Sequence, residues 1–218
     1  MKKVQKNLDI EKLRKSFSHL FVGMDLQKIE IEFLFSELIE MYEQEGRYYH
    51  NLKHIERMLS FLERRVDRIE DWVSIQLAVW FHDCIYDIHD SKNEERSADF
   101  ARKRLSDLGI SEDLVEKVAD LILLTKKHEI TTKYFNYDTK IFLDSDLISL
   151  GGSFEEYSKI FERIKKEYSE IPSEVFKNGR RIFLQSILSK PRIFYTDEMF
   201  VEFEQDARRN LERELVNL

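Results

Sequence analysis

The sequence predicts an all-α fold on three observations. Helix breakers are scarce, with 6 glycines and 2 prolines in 218 residues. Apolar residues recur at spacings of three and four almost throughout. Stop and start signals punctuate those runs at plausible helix lengths. There is no internal repeat, low-complexity segment or linker. The economical reading is therefore one domain over 1–218, with a core of about 25–150 and additional C-terminal helices over about 153–216.

The elements follow in order. Residues 25–45 carry Leu26, Ile29, Phe33, Leu34, Leu38 and Ile39 on helical spacing, and Gly46 is the expected C-terminal cap. Residues 51–65 repeat the pattern with Ile55, Met58, Leu59 and Leu62. Residues 72–86 are apolar on most sides, as a central helix is. Ser91 and Glu94 have capping-box spacing, which predicts a helix over 92–108 ended by Gly109. Ser111 opens another to about Thr125. "TTKYFNYD" reads as a loop, followed by a short helix over 138–150 that Gly151-Gly152 ends. Ser153 and Glu156 form a second capping box for 154–169. Pro172 suits the first turn of 172–189, and Thr196 is the expected cap of a last helix over 197–216.

Composition narrows the function. The chain is 42% hydrophobic and 35% charged, long enough to bury one sizeable core. A net charge of -7 and a pI of about 5.5 argue against general nucleic-acid binding, which needs a basic face. A small anionic substrate is still allowed. The only cysteine, Cys84, permits no disulfide within the chain and suits a reducing cytoplasm. It reads as a small buried hydrophobe, with a catalytic thiol as the lesser reading. "MKKVQKNLDIEKL" has no apolar run after its lysines, unlike a signal peptide. No stretch approaches the ~18 apolar residues of a membrane span. A cytoplasmic protein is expected.

The stretch "WFHDCIYDIHD" over 80–90 sets a physical problem, because His82-Asp83 sits among apolar residues. A buried carboxylate needs a counter-charge or a metal. His54, in "YHNLKHI", and Asp146, in "FLDSDLISLG", stand in comparable apolar helices. Two imidazoles and two carboxylates can fill four positions of a divalent cation and leave room for water and substrate.

With those residues in view, the chain resembles the HD superfamily of metal-dependent phosphohydrolases, whose signature is H…HD…D. More narrowly, it resembles a family of HD phosphohydrolases without a settled substrate. The matching stretches include "RYYHNLKHI", "WFHDCIYD", "NEERSADFA", "FLDSDLISLG" and "EQDARRNLERE", and they run from about residue 47 to the C-terminus. The resemblance implies an HD-domain helical bundle and a cation held by His54, His82, Asp83 and Asp146. Asp146 is preferred over Asp144 because members with D-x-D tend to use the second acid. The metal is Mn, Mg, Fe, Co, Ni or Zn. The implied reaction is hydrolysis of a phosphoester, with a nucleotide as the substrate class.

Further roles follow from that chemistry. Asp87, Glu94 and His128 are the candidate catalytic groups for proton transfer or water positioning. Asp87 stands one helical turn after Asp83 and reads equally as a solvated helix-end carboxylate. Glu94 has a structural alternative as a capping-box residue, and His128 as a helix-end histidine. His50, Asn51, Lys92 and Arg96 are the substrate-binding candidates, with Asn51 equally placed to cap a helix. Tyr86 stands where the superfamily's guanosine-tetraphosphate hydrolases have Glu, which points away from alarmone hydrolysis. A non-catalytic nucleotide-binding module and a di-iron oxygenase are the alternative functions. The stripe Phe203, Ala207, Leu211 and Leu215 either packs on the core or pairs with a second subunit in a homodimer.

Overall fold

The computed structural model describes residues 8–130 and 132–218. Among the described residues there are ten α-helices, three short 3-10 helices and no strand, so the protein is all-α. None of the described helices is long and apolar enough to cross a membrane. The lysine-led start at 1–7 and residue 131 of the expected loop lie outside the described residues. The chain forms two compact units, divided between Lys127 and His128.

The first unit contains α1 (Ile10–His19), α2 (Lys28–Tyr42), α3 (Leu52–Glu63), α4 (Trp72–Phe81), α5 (Asn93–Asp107) and α6 (Glu112–Thr125). Helix α1 has no counterpart among the expected elements. It is short and amphipathic, capped by the Asp9 carboxylate on Lys12 N–H, and buries Leu13 and Phe17. Every residue of α4 from Ser74 to Phe81 is buried, as its unbroken apolar run requires. Trp80 is its largest fully buried side chain. It packs edge-on against Phe17 and Phe35 at ring separations of 5.2 and 5.6 Å, pairs worth about 0.5–1.5 kcal/mol each beyond their burial. The Tyr42 hydroxyl donates to the Trp80 carbonyl at 3.0 Å, tying α2 to the end of α4.

Two boundaries differ from expectation. Helix α2 ends at Tyr42, and Gly46 serves the turn after it, with φ +95° and Arg47 N–H donating to Gln44 O at 3.3 Å. Helix α4 ends at Phe81 rather than near 86. Arg47, which follows the Gly46 turn, braces the chain where it leaves α4. Its guanidinium donates to the carbonyls of His50 (3.1 Å), Asp83 (2.7 Å) and Cys84 (2.8 Å). It also lies near the Tyr42 and Tyr86 rings, at 5.2 and 5.6 Å from their centroids. A side chain distant in sequence thus takes over carbonyls that a continuing helix would have used. Helix α5 starts at Asn93 with Lys92 as its N-cap and no side-chain cap bond, so the expected Ser91–Glu94 capping box is not formed.

The second unit contains α7 (Tyr137–Leu147), α8 (Phe154–Glu167), α9 (Ser173–Leu188) and α10 (Asp197–Asn217). A 3-10 turn over Thr132–Tyr134 precedes α7, and another over Ile148–Gly151 follows it. The Ser153–Glu156 capping box is formed at the start of α8. Pro172 is the N-cap of α9 rather than a residue of its first turn. A Cβ on Gly151 would stand 2.6 Å from Phe203 Cβ, so α10 crosses here only because this residue is glycine. Asn210 fixes the same crossing by donating to the carbonyls of Leu150 (2.9 Å) and Gly152 (2.8 Å). Ala207 and Leu211 of the α10 stripe are fully buried in this unit's own core, while Phe203 and Leu215 are half-buried. Arg180 pairs with Glu214, which also accepts from the Tyr157 hydroxyl.

Replacing Arg47 with methionine should cost about 3 kcal/mol or more, since it strands several buried carbonyls. Urea denaturation of the two proteins measures it. A change under about 1 kcal/mol would remove Arg47 from its central role.

Candidate metal centre

In the first unit the site is built on the start of α3 and the end of α4. Asn51 is the N-cap of α3; its side chain accepts from Lys53 N–H at 3.0 Å and donates to Arg47 O at 3.2 Å. Its helix-capping reading is the one observed. His54 follows in the first turn, 1% exposed. His82 is the C-cap of α4 and is equally buried. The Nδ1 of His82 lies 2.9 Å from Val79 O. As the only donor of that contact it carries the proton, which leaves Nε2 with its lone pair. That Nε2 is 3.2 Å from His54 Nε2 and 3.1 Å from Asp83 Oδ2.

This arrangement passes a test of fit for a cation. Two nitrogens that each approach one ion to about 2.1 Å can stand that far apart, and a shared positive charge relieves the facing lone pair and carboxylate. Within this unit His54, His82 and Asp83 offer imidazole and carboxylate donors of the kind that could hold a metal ion.

Nearby groups sort by what they touch. The segment after Phe81 is not helical, so the one-turn spacing that would put Asp87 on the face of Asp83 does not apply. Asp87 is exposed, and its carboxylate accepts from His89 N–H at 2.9 Å. Asn93 braces this loop by donating to Asp87 O and Asp90 O and accepting from Asp87 N–H. Glu94, in the first turn of α5, is half-buried. Burial, with the Asp83 charge adding to it, holds its carboxyl above the ordinary glutamate range. Arg96 donates to Asp90 at 3.0 Å, and Lys92 is exposed.

His50 precedes α3 rather than sharing a helical face with His54. Its ring stacks on Tyr86 with centroids 4.1 Å apart. Cys84 is buried, and burial pushes its thiol up to about 12, so the thiolate that nucleophilic catalysis needs is suppressed.

In the second unit the two acids of "DSD" have different work. Asp144 is fully buried. It accepts from Tyr195 N–H (2.7 Å), Thr196 N–H (2.9 Å) and the Thr196 hydroxyl (2.6 Å). Burial raises its carboxyl to about 6 despite those donors. Thr196 is the N-cap residue of α10, yet its hydroxyl serves Asp144 instead of the helix. Asp146 lies 2.8 Å from His128 Nε2. His128 is not at a helix end: α6 stops at Thr125, and His128 has φ +49°.

Sequence reasoning did not single out Arg47, Lys190 or Tyr195. Apart from the Arg47–His50 contact, their partners include backbone carbonyls far away in sequence, for which no local pattern exists. No family model matches the chain, and no curated protein or solved structure shows significant similarity to it.

Asp144→Asn should destabilise the protein by about 1–3 kcal/mol, because an amide cannot accept all three bonds. Asp146→Asn should cost under about 1 kcal/mol on the same scale. Thermal unfolding of both variants tests this, and equal losses would erase the division of labour between the two acids.

Proposed function

We propose that this chain is a metal-dependent phosphohydrolase that cleaves a small phosphoester, with a nucleotide as its substrate class. In this reading His54, His82, Asp83 and Asp146 hold one divalent cation. The observation that carries it is the pair of buried imidazoles whose Nε2 atoms face each other at 3.2 Å, one of them with its tautomer set by Val79 O. The H…HD…D resemblance supports the same four residues. Mixed imidazole and carboxylate donors suit Mn, Mg, Fe, Co, Ni or Zn. When bound, such a cation supplies an acidified water and polarises a phosphoryl oxygen.

The chain's own groups supply the rest. Glu94 retains its proton to higher pH than an exposed glutamate, which suits it to protonate the departing alkoxide. Asp87, by contrast, is taken up by its loop. Lys92 and Arg96, at the exposed start of α5, offer charge to a phosphate. The His50–Tyr86 stack offers an aromatic surface to a base.

Elemental analysis of the purified protein, beside a His82→Ala, Asp83→Ala double variant, tests the proposal. One equivalent of divalent metal is expected in the wild type and none in the variant. Hydrolysis of nucleotides and of p-nitrophenyl phosphoesters should vanish with the metal. Glu94→Gln should keep the metal and lose about 100-fold in turnover. Two equivalents would favour a di-iron oxygenase. Nucleotide binding without metal or hydrolysis would favour a binding module.

A further inference from the structure

His128 has an unusual anchorage inside the second unit. It is the only non-glycine residue with positive φ among the described residues. That backbone state is disfavoured for a residue with a Cβ and persists when its surroundings hold it. The holders are visible. The His128 carbonyl accepts from the Tyr195 hydroxyl at 2.5 Å and from Lys190 Nζ at 2.7 Å. Tyr195 is fixed in turn, since its N–H donates to Asp144 at 2.7 Å. Ile193 and Phe194, just before it, donate their N–H groups to the buried Glu204 carboxylate. Four successive backbone N–H groups, from Ile193 to Thr196, are thus captured by two buried acids. The resulting rigid segment presents the tyrosine hydroxyl to His128, whose Nε2 meets Asp146 Oδ2 at 2.8 Å.

We propose that Tyr195, assisted by Lys190, is a positioning residue: it locks the His128 backbone so that the imidazole Nε2–H donates to Asp146 and aims that carboxylate for metal binding. This rests on the reading of Asp146 as a metal ligand. It also changes the part given to His128, from a group that transfers a proton to substrate to one that orients a ligand. A carboxylate ligand held by an outer hydrogen bond loses less freedom on binding, and removing such an outer partner typically weakens metal affinity by 10–100-fold. Tyr195 acts one step further out, so a smaller effect, about fivefold, is expected of its loss.

The test uses the full chain and two readouts. The first is the His128 tautomer in metal-free protein, from long-range 15N–1H correlation. The second is the dissociation constant for Mn2+ by calorimetry. The proteins are the wild type, His82→Ala, Tyr195→Phe, Lys190→Met, His128→Ala and His128→Gln, with melting curves to check folding. The wild type should show the Nε2–H tautomer and bind Mn2+, and His82→Ala should not bind. Tyr195→Phe should lose the tautomer preference and bind about fivefold more weakly, with Lys190→Met changing both in the same direction. His128→Ala should weaken binding 10-fold or more, and His128→Gln, which keeps an N–H donor, should recover part of it. An unchanged tautomer and Mn2+ affinity in folded Tyr195→Phe and Lys190→Met would overturn the positioning role and leave the metal reading standing. A wild type that binds no Mn2+ would overturn the metal reading itself, and the positioning role for metal binding with it.

Discussion

The first unit depends on one buried guanidinium. Arg47 gathers the carbonyls of His50, Asp83 and Cys84 around a single planar fork. The approach to α3 and the exit from α4 are thereby fixed to one another. His54 and His82 sit immediately beyond those two points. A lysine could not do this, since its ammonium lacks the spread of donors in one plane. The cost of burying the charge is met by hydrogen bonds to carbonyls and by the faces of Tyr42 and Tyr86.

The second unit solves a related problem with opposite charges. Its connection between α9 and α10 is short, and it buries Ile193, Phe194 and Thr196, whose N–H groups need acceptors. Glu204 and Asp144 provide them from α10 and α7. Buried carboxylates are costly unless hydrogen-bonded, and these are. Asp144 and Asp146 lie two positions apart on one helix, and the fold separates their duties: one holds the connection and the other meets His128.

Helical periodicity made most of the fold legible. The runs over 25–45, 51–65 and 154–169 each contain an observed helix, because an amphipathic stripe and its cap are local properties. What was not legible arose from distant partners. The apolar run after Trp72 gives no local reason to stop at Phe81; the chain beyond it is held by Arg47, 36 residues before Asp83. Thr196 has the right identity for a cap, yet its hydroxyl turns to Asp144, about fifty residues back. Helix α1 went unread because only Leu13 and Phe17 mark its buried face. Within the candidate site, His54 and His82-Asp83 stood out as polar residues in apolar company. The loop from Asp87 to Asn93 did not, since turn-forming Asp and Asn residues resemble catalytic acids in a string of letters.

The sealing of Cys84 has a consequence for the chemical durability of the segment that follows α4. It is the thiolate that attacks peroxides and disulfides, so a buried thiol that stays protonated well above neutral pH is kept off the oxidation ladder that begins with sulfenic acid. The sequence holds no second cysteine to resolve such an adduct. The sulfur directly beside Asp83 in sequence is thus held as a buried, protonated thiol.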